Sequence, residues 1–334
     1  MKKIGAGIIG LGVGRQHALA FAAHPDCRVA HLCDSDPAQR AWAEKQHPDA
    51  KFSTDARDLI GDPAVDVVAV ASYDDDHAGQ ILAALKAGQH VFAEKPLCTR
   101  AEDAAAIRAE LARHPELRLS SNLILRRYPV FRELQSRLRA GELGEVYALE
   151  GDYNYGRLHK LTEGWRGRSA DYSVILGGGV HIADLLLWLV GAPAEEVYSL
   201  GNAFASRGSA FPGPDYACSL VRFRGGAVGK VSANFGCVHP HFHNVSVYGT
   251  RATFTHGPAG TFLHTSRDPA VAPLRLDLHY PGCAKGDLIA DFIEEILGRG
   301  RAEVNAEDVF RCMELCFAME KSLRSRVPLA VTRL

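Results

Sequence analysis

The first third of the chain alternates short apolar runs with segments rich in helix-forming residues. Five apolar runs predict strands: KIGAGIIG, CRVAHLCD, VDVVAVAS, HVFAEKP and LRLSSN. Between them lie four predicted helices: HALAFAAH, DPAQRAWAEKQ, AGQILAALKAG and RAEDAAAIRAELARH. A near-continuous apolar run such as VDVVAVAS is typical of a strand that is buried on both faces. This alternation predicts a parallel, doubly wound sheet.

After residue 122 the polarity pattern changes. Five segments there predict strands, the first with alternating polarity and the others separated by glycines: EVYALEGDYNY, YACSLVRFRGG, AVGKVSANFG, NVSVYGT and RATFTHG. Helices are predicted for PVFRELQSRLRAG and for three later stretches, near 179–190, 285–298 and 306–324. Such strands are typical of an antiparallel sheet that has one face covered.

A chain of 334 residues is long for a single hydrophobic core. We therefore predict an α/β protein with two domains. Residues 1–122 form the doubly wound domain. Residues 123–334 form an α+β domain, and the last helices pack back on the first domain.

Net charge and hydropathy exclude two classes of partner. The formal net charge is −1, so no global field attracts nucleic acid or an anionic membrane. The longest apolar stretch, LLLWLV, is far too short to cross a bilayer. We expect a small-molecule partner, with no nucleic acid and no membrane.

The N-terminus and the cysteines bear on the compartment. Lys2 and Lys3 precede an apolar run, as in a signal peptide, but glycines break the run, which favours a strand that enters a glycine turn. Eight cysteines are scattered without a C-x-x-C pair. This usage is typical of reduced thiols, and we expect a cytoplasmic protein.

The segment GIIGLGVGRQH places three glycines between the first strand and the first helix. Gly10, Gly12 and Gly14, with Val13, allow a tight turn and close backbone approach, and the helix start offers free N–H groups to a pyrophosphate. The spacing departs from G-x-G-x-x-G, because Arg15 holds the third glycine's position. A plain glycine turn is the alternative.

Asp34 ends the second predicted strand, where a carboxylate binds the ribose hydroxyls of a dinucleotide. Asp36 adds a second negative charge that would repel a 2′-phosphate. Both carboxylates favour NAD over NADP. Arg40, one helical turn later, would instead attract a 2′-phosphate and favour NADP. NADP therefore stays possible.

The segment GQHVFAEKPLC has a pattern that is found in a known family. With its glycine turn, the chain resembles the glucose–fructose oxidoreductase, inositol dehydrogenase and rhizopine catabolism family, written Gfo/Idh/MocA. The matching segments are VDVVAVASYDDDHAGQILAALKAGQHVFAEKPL, GGGVHIADLLLWLVG and LVRFRGGAVGKVSANFG. The resemblance implies an N-terminal NAD(P)-binding Rossmann domain and a C-terminal domain with a large, open, mostly antiparallel sheet. It also implies a homodimer or homotetramer formed through that sheet.

Lys95 ends a predicted parallel strand, at the sheet edge where ligands bind. The resemblance implies that Lys95 lies beside the nicotinamide. There an ammonium group would stabilise the alkoxide that develops as a secondary alcohol is oxidised, and would join a proton relay. Glu94 is expected to contact the cofactor or to orient Lys95. A solvated lysine at a strand end is the alternative, and in this family the bond before Pro96 is often cis.

His181 is the second expected catalytic residue, and Asp184 follows it on the same helix face. Members of the family commonly carry Asp-x-x-x-His here, but this chain has Gly177 in place of that aspartate. We expect His181 to be the main proton acceptor, with help from Tyr153 or Tyr155. Altered chemistry, no chemistry, or a purely structural histidine stay open.

Other candidates are weaker, and a surface or structural role is an alternative for each. Expected cofactor contacts after the third long strand are Ser72, Tyr73 and His77. Expected substrate contacts are Asn122, Arg126, Arg127, Tyr155, Trp165, Arg166 and Asp184. His239, His241 and His243 share one face of an extended segment and have the spacing of zinc ligands. Without a nearby thiol or carboxylate we expect no metal, and contacts on the sheet face or between subunits instead.

The main hypothesis is an NAD-dependent dehydrogenase that acts on a secondary alcohol of a sugar, polyol or sugar derivative. In it Lys95 and His181 handle the proton. One alternative is an enzyme that recycles a tightly bound cofactor, as in aldose–ketose exchange or NAD-assisted glycoside cleavage. Another is a non-catalytic cofactor- or sugar-sensing protein, which the glycine at position 177 motivates.

Overall fold

The computed structural model describes residues 3–169 and 171–334, so Lys2 lies outside the described residues. The chain forms two compact units. The first consists of residues up to 124 with residues 284–310 and Leu334, and the second consists of residues 125–283 and 311–333. Within the described ranges, every helix is too short or too polar to span a bilayer.

The first unit contains a six-stranded parallel sheet with the strand order β3-β2-β1-β4-β5-β6. Its strands are β1 (Ile4–Ile9), β2 (Cys27–Cys33), β3 (Lys51–Ser53), β4 (Val67–Val70), β5 (His90–Ala93) and β6 (Leu119–Ser121). All residues of β1 and β4 are buried, which is why their sequences are nearly continuous apolar runs. The order reverses at β1 and β4, and this switch point is where doubly wound sheets bind ligands.

Helices connect the parallel strands of the first unit. They are α1 (Gly14–Ala23), α2 (Arg40–Gln46), α3 (Ala56–Ile60), α4 (His77–Lys86) and α5 (Ala101–Arg113), and a later helix, α9 (Ile289–Ile296), also belongs to this unit. The ring of Phe292 on α9 lies 5.8 Å from that of Phe92 on β5. Both rings are fully buried, so α9 completes the core on this face of the sheet.

The second unit contains a nine-stranded mixed sheet with the order β14-β13-β12-β11-β7-β10-β9-β8-β15. The bounds of these strands are β7 (Val146–Asn154), β8 (Ala194–Asn202), β9 (Tyr216–Phe223), β10 (Val228–Asn234), β11 (Phe242–Gly249), β12 (Thr253–Gly257), β13 (Gly260–His264), β14 (Leu274–Arg275) and β15 (Leu329–Ala330). Among the described strands of this sheet, only β7 and β10 pair in parallel, and the other pairs are antiparallel. Burial alternates along β11, so one sheet face is covered and the other is open.

The remaining α-helices of the described residues are α6 (Pro129–Arg139), α7 (His159–Thr162), α8 (Val180–Val190) and α10 (Ala306–Ser325). Helix α8 is apolar nearly all round and packs on β7 and β10. A Cβ atom on Gly151 of β7 would lie 2.3 Å from Ile182, so this glycine permits the close approach of helix and sheet. A π-helical turn, Ile175–Gly179, leads directly into α8.

The fold class predicted from the polarity pattern is confirmed: a parallel Rossmann sheet is followed by a large, mostly antiparallel sheet. The pattern missed β3, β8, β13, β14 and β15. Strand β3 has only three residues at the sheet edge, and β8 contains adjacent glutamates and exposed positions. Such strands lack a strong apolar signal.

Candidate active site

The three glycines after β1 have three different surroundings. Gly10 has a φ of +86°, and a Cβ atom there would lie 2.4 Å from the Ala71 carbonyl oxygen. Gly14 begins α1, and its Cβ would lie 2.9 Å from Ile8, so it permits close packing of helix on strand. Gly12 has no atom within 4 Å of its Cβ position. The turn therefore presents open backbone at Gly12, between two positions that packing restricts to glycine.

This turn fits a dinucleotide. Val13 is the N-cap of α1 and makes no side-chain cap bond, so the first N–H groups of a ten-residue helix are not capped by that side chain. Such groups and the helix dipole favour a pyrophosphate. In the G-x-G-x-x-G pattern the third glycine permits close packing of helix and strand. Here Gly14, one residue before that position, has this role.

Asp34 joins the end of β2 to the glycine turn. Its carboxylate accepts hydrogen bonds from the backbone N–H of Leu11 (2.6 Å) and of Asp36 (2.9 Å). It remains partly exposed, so it keeps acceptor capacity for ribose hydroxyls.

Two arginines near this edge are already engaged. Arg15 binds the Gln39 side chain, and its guanidinium lies 4.8 Å from the Trp42 ring centroid. Arg40 pairs with Glu44 at 3.4 Å and lies 4.7 Å from the ring centroid of Phe52. A 2′-phosphate would have to draw one of these cations from its present contacts.

Glu94, the residue before Lys95, is the centre of a buried polar cluster. Its Oε1 lies 3.1 Å from His17 Nε2 and accepts a hydrogen bond of 2.7 Å from the Asn122 side chain. Burial raises the pKa of Glu94, but bonding and charge from His17, with the charge of Lys95, outweigh burial and hold that pKa at about 2. An ionised carboxylate is thus fixed at the end of β5, where it orients the backbone of Lys95. Asn122, an expected substrate contact, lies in this cluster and is 3% exposed.

His77 supports the turn that follows Lys95. It is fully buried, and its Nδ1 donates to the Pro96 carbonyl oxygen at 2.8 Å, while Nε2 lies 3.3 Å from the Ser72 carbonyl oxygen. The Lys95–Pro96 bond is cis. Because both ring nitrogens face protein carbonyls, any effect of His77 on a cofactor would be indirect. Tyr73, in contrast, is 56% exposed.

His181 lies in the first turn of α8 among rings from the sheet of the second unit. The Tyr153 ring stacks on it, with centroids 5.8 Å apart and an interplanar angle of 18°. Tyr153 also lies 5.1 Å from the His241 ring and 5.2 Å from the His243 ring. We call His181, Tyr153, His241 and His243 the imidazole–phenol cluster. It gathers four side chains that donate or accept protons without carrying a fixed charge.

His243 is the most deeply buried imidazole of this cluster. The Tyr280 hydroxyl accepts from the His243 backbone N–H at 3.1 Å and lies 2.6 Å from His243 Nδ1. The Tyr280 hydroxyl is therefore the hydrogen-bond partner of both the backbone N–H and Nδ1 of His243. Within the described residues, the buried Nε2 of this ring has no hydrogen-bond partner. Burial, with the neighbouring His241 and His181, lowers the pKa of His243 well below its usual value, so the ring is neutral.

Arg126 and Asp184, both expected to bind substrate, bind each other. Arg126 donates from Nε to Asp184 Oδ2 (3.0 Å) and from Nη2 to Oδ1 (2.6 Å), and both residues are at most 3% exposed. This bidentate ion pair ties the segment before α6 to α8. Their effect on a substrate would act through the position of α8 and thus of His181.

Three other expected substrate contacts take part in aromatic interactions: Tyr155, Trp165 and Arg166. Arg166 lies 4.6 Å from the Trp165 ring centroid and 5.8 Å from that of Tyr172. Tyr155 lies 4.7 Å from the Phe235 ring and is partly exposed. Both groups thus present an aromatic surface in the second unit.

The spacing of the HPHFH histidines does not produce a metal cluster. Among the described residues, the only three potential ligands whose atoms lie within 4.8 Å of one another are His24, Asp26 and Glu294. There the Arg299 guanidinium contacts both carboxylates, at 2.7 and 2.6 Å. That group is an ion-pair network in the first unit.

The doubly wound sheet, the open glycine turn and the acidic strand end define a Rossmann domain of the NAD-binding type. Residues 4–122 match the profile of an oxidoreductase family with an NAD-binding Rossmann fold, and residues 131–255 match that of the GFO/IDH/MocA C-terminal domain. The chain therefore belongs to the Gfo/Idh/MocA family. The family resemblance, the fold and the type of cofactor expected from the sequence are thereby confirmed.

The relatives include an inositol dehydrogenase and an anhydrofructose reductase. The chain is 32% identical to inositol 2-dehydrogenase 2 of Saccharopolyspora erythraea, over 63% of this chain and 59% of that protein. It is 29% identical to 1,5-anhydro-D-fructose reductase of Ensifer adhaerens, over 77% of each chain. The structure of scyllo-inositol dehydrogenase from Lactobacillus casei with NAD(H) and scyllo-inositol has a TM-score of 0.81 at 19% identity and 99% coverage of both chains. At that identity the structural likeness concerns the fold alone.

Sequence reasoning missed the partners that surround the expected residues. It did not single out Tyr280 or Tyr172, which come from irregular segments without periodicity. A signal for His243 did exist. It shares a side of β11 with Val245 and Val247, which are buried, and an imidazole in such a row must find a polar partner.

Proposed function

We propose that this protein is an NAD-dependent dehydrogenase that oxidises a secondary alcohol of a cyclic polyol or a related sugar derivative. The observation that carries the proposal is the imidazole–phenol cluster around His181 in a chain that has an NAD-binding Rossmann domain. The inositol and anhydrofructose relatives support the substrate class.

In this proposal the cofactor is held by the glycine turn and by Asp34. The backbone at Gly12 and the first N–H groups of α1 receive the pyrophosphate, and the Asp34 carboxylate receives the ribose hydroxyls. When bound, the nicotinamide supplies the hydride acceptor of the oxidation. The engaged arginines and the charge of Asp34 favour NAD over NADP.

Lys95 and His181 handle the hydroxyl proton. The Lys95 ammonium stabilises the developing alkoxide by a hydrogen bond, and the His181 imidazole accepts the proton that the hydroxyl loses. Glu94 holds the backbone of Lys95, and the Arg126–Asp184 pair holds the helix that carries His181.

The cluster suits an uncharged, hydroxyl-rich substrate. His243 is neutral, and the charge of Arg126 is balanced by Asp184. Hydroxyl groups can both donate to and accept from imidazoles and phenols, so a polyol matches this surface. A carboxylate or phosphate would need a buried cation, and the cluster itself contains none.

We also propose a cytoplasmic homo-oligomer that assembles through the open sheet face. The eight cysteines are scattered along the sequence without a C-x-x-C pair, which supports a reducing compartment. The open face carries several large apolar side chains, about half exposed: Tyr147, Leu200, Leu220 and Val228. Analytical ultracentrifugation of the wild type and of Leu220→Glu tests the assembly. If Leu220→Glu has the same sedimentation coefficient as the wild type, the protein does not assemble through this face.

The function is tested by incubating the protein with NAD and a panel of myo-inositol, scyllo-inositol and related sugars. Both NADH absorbance and the organic product are measured. We expect stoichiometric NADH and ketone with at least one cyclic polyol. Product without NADH would point to cofactor recycling, and neither product nor NADH across the panel would contradict the proposal.

A further inference from the structure

The absence of a side chain at position 177 has a specific cause in the structure. A Cβ atom on Gly177 would lie 2.0 Å from the Tyr172 hydroxyl oxygen and 2.4 Å from Tyr172 Cζ. These distances are far inside van der Waals contact. The phenol end of Tyr172 therefore fills the volume in which a side chain at position 177 would begin.

Tyr172 is held in this place by other rings. It is 6% exposed, and its ring lies 5.8 Å from Trp165, 6.3 Å from Phe211 and 6.4 Å from Phe235. The Arg166 guanidinium lies 5.8 Å from the ring centroid. Because these groups surround the ring, the hydroxyl cannot move aside without disturbing a packed aromatic cluster.

The filled position belongs to the catalytic end of α8. Gly177 lies at the centre of the π-helical turn, one helical turn before His181. Irregular turns of this kind inside helices are frequent at functional sites. Position 178 shows the same close approach, since a Cβ there would lie 2.5 Å from the Tyr153 ring that stacks on His181. The rings of Tyr172 and Tyr153 thus occupy the volumes that side chains at positions 177 and 178 would fill.

Tyr153 and Tyr172 share part of their surroundings. Burial raises the pKa of Tyr153 well above its usual value, and the phenols of Tyr155 and Tyr172 raise it further. The rings of Tyr153 and Tyr172 also lie against the same Phe235 ring, at 5.9 and 6.4 Å.

We propose that Tyr172 supplies the polar group that position 177 lacks, and that its hydroxyl hydrogen-bonds a substrate hydroxyl adjacent to the carbinol served by His181. This rests on the proposed function and adds a substrate-binding residue to it. A phenol hydroxyl both donates and accepts without charge, which suits two neighbouring hydroxyls of a polyol. A carboxylate at the same place would only accept and would hold His181 in its charged form.

The first test is Tyr172→Phe, which keeps the ring and removes only the hydroxyl. We expect kcat/KM for the preferred polyol to fall by about ten-fold, as for loss of one hydrogen bond in a desolvated site. The affinity of the NADH complex for the polyol, measured by calorimetry without turnover, should fall by a similar factor. Binding of NADH alone should not change. Thr265→Val, which removes an exposed hydroxyl of the second unit, is the control and should behave as wild type.

The second test is Gly177→Ala, which leaves Tyr172 intact but pushes its hydroxyl away. We expect a comparable loss of kcat/KM and a lowered melting temperature. If both substitutions act through one hydroxyl, the double variant Tyr172→Phe/Gly177→Ala should lose no more activity than the worse single variant.

The outcomes separate the two proposals. If the wild-type protein shows neither turnover nor polyol binding, the proposed function fails, and this role of Tyr172 fails with it. If the wild type is active but Tyr172→Phe retains full kcat/KM and polyol affinity, the role of Tyr172 alone is overturned. Additive losses in the double variant would likewise overturn it, because Gly177 and Tyr172 would then act independently.

Discussion

Arg126 and Asp184 form a bidentate ion pair inside the second unit, with N–O distances of 2.6 and 3.0 Å. The pair connects the segment before α6 to the helix that carries His181. Because both side chains are almost fully buried, removing one partner leaves the other as an uncompensated buried charge.

Asp184→Ala should therefore be strongly destabilising, by about 3–5 kcal/mol. Thermal and urea unfolding, followed by circular dichroism, measure the effect. The matched control is Glu195→Ala, which removes an exposed pair with Arg224 at 3.3 Å. That control should cost less than about 1 kcal/mol. Equal stability of the two variants would show that the buried pair contributes no more than an exposed one.

Buried histidines should make stability depend on pH. Burial lowers the pKa of His256 to about 4, from 6.5 in the unfolded chain. Between these two pKa values, the imidazole is protonated in the unfolded chain but stays neutral in the folded protein. The contribution of the neutral imidazole to the free energy of unfolding is therefore fully present above pH 6.5. It falls as pH drops toward 4, by about 1.4 kcal/mol per pH unit for each such group.

The variant His256→Gln should lose stability less steeply between pH 6.5 and 4 than the wild type. His264→Gln, at an exposed histidine, is the control and should keep the wild-type slope. Identical slopes for the wild type and His256→Gln in urea unfolding would contradict the assignment of a neutral, buried imidazole.

The glycine turn predicts a separation between folding and cofactor binding. A methyl group on Gly12 enters open space, so Gly12→Ala should leave the melting temperature unchanged but weaken NADH binding by about ten-fold or more. Gly10→Ala should instead lower the melting temperature, since φ is +86° and the methyl group meets Ala71. Fluorescence titration with NADH and thermal unfolding check both. If the Gly12→Ala variant binds NADH as tightly as the wild type, the pyrophosphate does not bind at this turn.

Asp34 predicts the choice of dinucleotide. We expect NADH to bind at least about ten-fold more tightly than NADPH, because the Asp34 carboxylate repels a 2′-phosphate. Asp34→Asn should narrow this ratio, whereas Asp277→Asn, at an exposed carboxylate of the second unit, should not. Equal affinity of the wild type for both dinucleotides would contradict the preference.

The sequence predicted those parts of the molecule that follow from periodicity or from a contiguous motif. The run VDVVAVAS became β4, buried at every residue, and Gly88, with a φ of +77°, follows the end of α4 as its position after a helical pattern predicted. Gly10, Gly12 and Asp34 come together because each stands at the end of a parallel strand or in the turn after it.

Contacts between distant segments were beyond sequence reasoning. The role of Gly177 depends on Tyr172, which sits in an irregular loop whose path no period or turn signal defines. His243 and Tyr280 likewise lie 37 residues apart. Arg126 and Asp184 were expected as separate polar contacts, since nothing in their spacing shows that each neutralises the other.

The central claim is that Lys95 and His181 together handle the proton of one polyol hydroxyl. It is tested most directly by kcat/KM for oxidation of the preferred polyol in Lys95→Ala and His181→Ala, with Lys86→Ala and His264→Ala as controls. We predict losses on the order of 10²–10⁴-fold for the first two, with NADH affinity of His181→Ala unchanged, and wild-type rates for the controls. Full activity in either Lys95→Ala or His181→Ala would contradict the claim.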